Sequence, residues 1–158
     1  MKKHLILCLI GLIVGLYAAA APVGREQARL VATHFVQSNH LKINIESGKG
    51  LTDATLSEEH PYFYVFTGTD GKGFVIVSAD DRMPPILGYS DENPFSFNDM
   101  PENIKSWLQG YEEEILYCRS HNIAGNSPNS AAWKELTSAT TSTPKGLPKA
   151  AMSKPSDL

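Results

Sequence analysis

The sequence predicts an α+β fold, a twisted antiparallel sheet of three or four strands with an amphipathic helix before it and a long helix after the last strand. Three observations carry this. Apolar residues recur at helical spacing in two separate stretches; two aromatic and β-branched runs flank a reverse-turn signal; a double proline precedes a further apolar burst. At 158 residues the chain has room for one domain of ordinary size.

Taken in order, the chain opens on Lys2, Lys3 and His4, an apolar run from Leu5 to Leu16, and the small residues Ala18 to Ala21. That pattern predicts an export signal over residues 1–21, cleaved near Ala20 or Ala21, and a periplasmic or extracellular product. The run of about a dozen residues falls short of the roughly twenty needed to span a bilayer, so no membrane association is expected after cleavage. Cys8 lies inside the apolar run instead of ending it, which argues against a lipidated cysteine. Removal of residues 1–21 leaves Cys118 as the only thiol, so no disulfide can form within the chain and a packed core must hold the fold.

Arg25 to Asn39 sets Ala28, Val31, Ala32 and Phe35 on one helical stripe. Tyr62 to Thr67 (YFYVFT) and Gly73 to Ser78 (GFVIVS) read as strands, and Asp70-Gly71 between them predicts an antiparallel hairpin. Ile86 to Tyr89 adds a strand after Pro84 and Pro85, which exclude helix and stiffen the connection. From Asp99 to about His121, Ile104, Trp107, Leu108, Tyr111, Ile115 and Cys118 share a face, with Asp99 and Glu102 set as a capping box and Pro101 in the first turn. The helices are expected to pack mainly against one face of the sheet.

Charge divides the chain. Residues 22–125 hold eight Lys or Arg against fifteen Asp or Glu, a net of −7; residues 126–158 hold four against two, a net of +2. An acidic body argues against nucleic acid or an anionic membrane as partner. In 126–158, twenty of thirty-three positions are Ser, Thr, Pro, Ala or Gly, so a domain over 22–125 and a flexible, disordered tail over 126–158 are expected.

Residues able to carry chemistry are few. Cys118 and His121, three apart, are the material of nucleophilic catalysis, but Cys118 continues the buried stripe, where a thiolate is disfavoured. Asp80 and Asp81 beside Arg82 could be half of a metal site, yet His34, His40 and His60 have no ligand spacing, and a strand end closed by an Asp side chain and a salt bridge fits better. Glu112, Glu113 and Glu114 read as a solvated helix face. Gly68, Gly71 and Gly73 fit a turn and not a phosphate cradle. No catalytic residue, cofactor or metal is expected.

The succession GFVIVSADDR, PPILGYS, a loop with Asn93, Phe95 and Phe97, then MPENIKSWLQGYEEEI resembles the inhibitory prodomain of streptopain-type cysteine peptidases, a module that also occurs as freestanding Spi inhibitors. The resemblance covers about residues 24–136, including Trp133 to Leu136. It implies an independently folding α+β module, monomeric when free, that lies across the cleft of a streptopain-like cysteine peptidase. In that family an asparagine at the start of the helix after the GYS strand enters the active site and disturbs the catalytic histidine. The matching residue is Asn103; Glu102, Phe95, Phe97 and Met100 are candidate flanking contacts, and anchoring of the loop on the core is the alternative role for the three apolar ones. A whole precursor would continue into a catalytic domain, so this chain is expected to be no enzyme. The alternatives are the front end of a precursor lacking its catalytic part, or a secreted binding or adhesion module without inhibitory activity.

Overall fold

The structure, a computed structural model, describes residues 22–46, 50–55 and 62–138. The predicted export signal (1–21), His60 and the last part of the predicted tail (139–158) lie outside the described residues. Helix α1 (Arg25–Ser38) is followed by strands β1 (Thr52–Asp53), β2 (Phe63–Thr67), β3 (Phe74–Ser78) and β4 (Ile86–Ser90), then helices α2 (Glu102–Ser120) and α3 (Ser127–Ser138). The strands form one antiparallel sheet in the order β1-β2-β3-β4.

The cores of β2 and β3 are continuous apolar runs, not apolar–polar alternations, so both faces of the sheet need cover. Tyr64, Phe66, Val75 and Val77 face α1, through Ala28, Val31, Ala32 and Phe35, and α3, through Trp133 and Leu136. Val65, Ile76 and Leu87 point the other way, under Leu108 of α2, and Ile115 and Cys118 extend that packing to Met83. Helices therefore cover both faces, which corrects the expectation of packing mainly against one.

Strand β4 carries a bulge. Val77 pairs with Ile86 and Ile76 with Gly88, leaving Leu87 as the extra residue. The bulge resets the alternation, so that Leu87 reaches the α2 face while Tyr89 meets Phe35 of α1 edge-on at 5.1 Å. The β2–β3 hairpin closes at Gly73, whose φ of +70° suits glycine, and where a Cβ would approach Ile43 to 2.7 Å.

Helices α1 and α2 end alike. The N–H of His40 donates to Gln37 O at 3.3 Å and that of Leu41 to Val36 O at 3.1 Å; those of Asn122 and Ile123 donate to Arg119 O at 3.4 Å and Cys118 O at 3.0 Å. His40 and Asn122 take the left-handed conformation that this double-bonded stop requires, at φ of 52° and 51°.

The largest departure from expectation lies past residue 125. Residues 127–138 are not a flexible tail but helix α3, with Trp133 and Leu136 buried against α1. Composition averaged over 126–158 hides this, because two large side chains at helical spacing suffice to dock one short helix, and Trp133 Nε1 adds a hydrogen bond to Met83 O at 2.9 Å.

Candidate functional site

Helix α2 is amphipathic, and its apolar stripe is what holds it on the sheet. Leu108, Ile115 and Cys118 are buried, and Ile104, Trp107 and Tyr111 pack beside them. Trp107 and Tyr111 meet edge-on at 5.1 Å, and burial, with a smaller contribution from Glu114, raises the Tyr111 phenol above its ordinary value.

The start of α2 differs from the expected capping box. Pro101 occupies the cap position with no side-chain acceptor. Asp99 instead turns back to the loop, accepting from Ser96 Oγ at 2.9 Å, and Glu102 pairs with Lys105 Nζ at 2.6 Å. Pro101 O accepts the N–H groups of Ile104 and Lys105, each at 3.0 Å. The N–H groups of Glu102 and Asn103 have no partner among the described residues. Asn103 is exposed, and its carboxamide has no hydrogen-bond partner among the described residues either. The helix thus presents a polar side chain and free donors at a rigid end.

The loop before α2 is fastened to the sheet. Phe95 stacks edge-on against Phe74 of β3 at 5.2 Å, and Phe97 against Phe95 at 4.6 Å. Phe95, Phe97 and Met100 are all half-buried in the α2-side core, so each anchors the loop while keeping an outward edge. Phe97 and Met100, with Phe63, Leu108, Lys105 and Glu112, line a shallow depression of about 300 Å³ beside the first turns of α2.

At the other end of α2 lies a polar hub that sequence patterns only half disclose. Asp80 is fully buried. Its Oδ1 accepts the backbone N–H of Arg82 at 3.1 Å; its Oδ2 accepts Arg82 Nη1 at 3.1 Å and Arg119 Nε at 2.8 Å. The salt bridge expected beside Asp80 is present, and Arg119 of α2 joins it from 39 residues away. Ala79 O accepts Arg119 Nη2 at 3.3 Å, and Asn129 of α3 donates its Nδ2 to Arg82 O. No spacing signal marks Arg119 or Asn129 as partners of this turn; only the packing of α2 and α3 brings them there.

The other residues with chemical potential are separated or committed. Cys118 is buried, while His121 is exposed, stacked on Tyr117 at 4.2 Å with its Nδ1 donating to Tyr117 O at 3.0 Å. They do not form a pair. Glu113 and Glu114 are solvated and Glu112 half-buried. Among the described residues no cluster of three or more metal-ligating side chains occurs, and no helix is long and apolar enough to cross a membrane.

Comparison with known proteins points one way. The family model described as "Spi protease inhibitor" matches residues 20–115, a span that includes α1, the sheet and the start of α2 with Asn103. The thiol protease/hemagglutinin PrtT of Porphyromonas gingivalis is 33% identical over 100 residues, which are 61% of this chain and 12% of that protein. Streptopain of Streptococcus pyogenes is 50% identical over 52 residues, 33% of this chain and 13% of that protein. The chain thus spans a small share of the curated relatives it matches, and what it shares with them is the inhibitor module and not the catalytic domain.

Proposed function

The chain belongs to the Spi protease inhibitor family, and we propose that it inhibits a streptopain-like cysteine peptidase by seating the first turn of α2 in the active-site cleft, after export from the cell. The observation that carries this is Asn103: exposed, without a hydrogen-bond partner among the described residues, and fixed at the uncapped start of a 19-residue helix. Nothing in the described fold needs a polar side chain there. Its carboxamide offers an acceptor and two donors, enough to bond an imidazole N–H and draw the peptidase histidine away from its thiol. Because the helix is already formed, little ordering entropy is lost on binding.

Glu102, Phe97 and Met100 flank Asn103 and extend the contact, while Phe95 acts chiefly by holding the loop. A stable inhibitor interface buries about 1,600 Å² in total, so the first turn of α2, the loop before it and the depression at Phe97 and Met100 are the surfaces to engage. The same contact serves a chain acting in trans and one joined to a peptidase as its propeptide; the small share of PrtT and streptopain that aligns with this chain keeps the second arrangement in view.

The test is a titration of streptopain with the full chain, following hydrolysis of a small peptide substrate, for the wild type and Asn103→Ala. Saturable inhibition that weakens by about tenfold or more in the variant, about 1.4 kcal/mol, is expected. Inhibition equal in both proteins would retain the inhibitor and discard the role of Asn103. Binding that leaves hydrolysis untouched would instead favour a non-inhibitory binding module.

A further inference from the structure

We propose that the pair formed by buried Asp80 and half-buried Arg119 is the positioning device of the inhibitor: it sets the fine axial position and rotation of α2 on the sheet and thereby aims Asn103, at the opposite end of the helix. The proposal rests on the role given to Asn103 above.

Apolar contacts are non-directional, and only three of the nineteen residues of α2 are buried apolar ones, Leu108, Ile115 and Cys118. Ile104, Trp107 and Tyr111 pack half-buried beside them, so the seam fixes which face of α2 meets the sheet but, being non-directional, defines its fine axial position and rotation less sharply. A whole-residue slip, with its turn of about 100°, would expose that apolar stripe and is excluded by it; the ion pair acts on the smaller shifts and rotations that remain, which still redirect Asn103 at the helix start. A guanidinium bonded to a carboxylate is directional. Arg119 is held by two acceptors, Asp80 Oδ2 at 2.8 Å through Nε and Ala79 O at 3.3 Å through Nη2, and its guanidinium lies 5.9 Å over the Tyr62 ring.

The acceptor side is equally fixed. Asp80 is fully buried, its carboxylate is also bonded by Arg82, its N–H donates to the hydroxyl oxygen of Ser78 at 3.1 Å, and its carbonyl accepts that hydroxyl at 2.9 Å. Among the described residues, no other charged pair ties α2 to the sheet; the salt bridge of its first turn, Glu102 with Lys105, lies within the helix. Asn103 and Arg119 are about 24 Å apart along the axis, so the anchor and the inhibitory end share no atoms and are joined only by the rigidity of the helix. A register role is the best-attested use of an ion pair drawn into a protein interior.

The full chain carrying Arg119→Met tests this, since the variant keeps the aliphatic stem and leaves Asp80 with Arg82. Two measurements are made: amide chemical shifts of residues 102–105 in the free protein, and inhibition of streptopain in the wild-type and Asn103→Ala backgrounds. Expected are a folded protein, displaced resonances at 102–105, and inhibition weakened by about tenfold when Asn103 is present but by less than about twofold when it is alanine. Partial recovery with Arg119→Lys, which restores the charge but not the two-acceptor geometry, is expected as well. Unmoved resonances at 102–105 would overturn the proposal. Displaced resonances with an equal loss of inhibition in both backgrounds would also overturn it, and would place the failure in the role of Asn103 rather than in the anchor.

Discussion

Trp133→Ala is predicted to destabilise the protein by about 3 to 5 kcal/mol, the range for removing a buried tryptophan from a core. The magnitude follows from its surroundings. Trp133 is 5% exposed, packs with Leu136 and the α1 stripe, and its Nε1 donates to the Met83 carbonyl at 2.9 Å. With a urea slope of about 1.5 kcal/mol/M, a loss of about 4 kcal/mol lowers the unfolding midpoint by about 2.7 M. Trp133→Phe keeps most of the apolar volume but leaves Met83 O without its donor, so about 1 to 3 kcal/mol is expected. Lys134→Ala, an exposed neighbour on the same helix, should stay within about 0.5 kcal/mol. The assay is equilibrium urea unfolding followed by circular dichroism and by the emission of Trp107, which remains in every variant. A loss below about 1 kcal/mol for Trp133→Ala at unchanged slope would mean that α3 is not part of the cooperative unit, and would restore the domain boundary at residue 125.

Other perturbations address other layers of the fold. Asp80→Ala removes the common partner of Arg82 and Arg119 and should cost about 3 to 5 kcal/mol in thermal or urea unfolding, because two largely buried guanidinium groups lose their anion; a cost under about 1 kcal/mol would show that water replaces the carboxylate freely. His40→Gly relieves a left-handed backbone at φ of 52° on the exposed end of α1 and should stabilise by about 0.5 to 1 kcal/mol; a measured destabilisation would place the strain elsewhere. Burial tends to raise the Asp53 carboxyl, but hydrogen bonds from Thr55 and the Arg25 guanidinium outweigh it and hold the group below its ordinary 3.8. With its folded pKa depressed, Asp53 contributes stability that is present above pH 3.8 and is lost as pH falls through the folded value. Stability measured between about pH 5 and the acid limit should therefore fall less steeply in Asp53→Asn, and identical slopes would remove Asp53 from the account of acid unfolding.

Elements with strong local periodicity are legible in the sequence itself. The stripe Ala28, Val31, Ala32, Phe35, the Asp70-Gly71 hairpin and the face from Ile104 to Cys118 appear where their spacing puts them, because helix and strand periods are properties of neighbouring residues. Strand β1 is not legible, since two residues carry no period; it forms by pairing Thr52 and Asp53 with β2. Helix α3 is masked by its surroundings, as Trp133 and Leu136 stand in a stretch rich in Ser, Thr and Ala. The capping box does not form because Asp99 lies two residues ahead of the cap and Pro101 there presents no side-chain acceptor. Of the site, Asn103 comes from family resemblance, while the partnership of Asp80 with Arg119 is a tertiary fact that no local pattern encodes.

If Asn103 carries the inhibition as proposed, stability and inhibition should be separable in this architecture, because the two draw on different forces in different places. Apolar burial on both faces of the sheet supplies the driving force for folding and is non-directional. The hub at Asp80 adds directional hydrogen bonds at one end of the helix. The opposite end carries no side-chain cap, and Asn103 has no partner among the described residues. An end so arranged contributes little to folding, so evolution could tune it for an external partner without unsettling the core. Asn103→Ala should accordingly change unfolding free energy by no more than about 0.5 kcal/mol while weakening inhibition. On the positioning role proposed above, changes at Asp80 or Arg119 should alter both, and a loss of stability with inhibition unchanged would confine the pair to the fold.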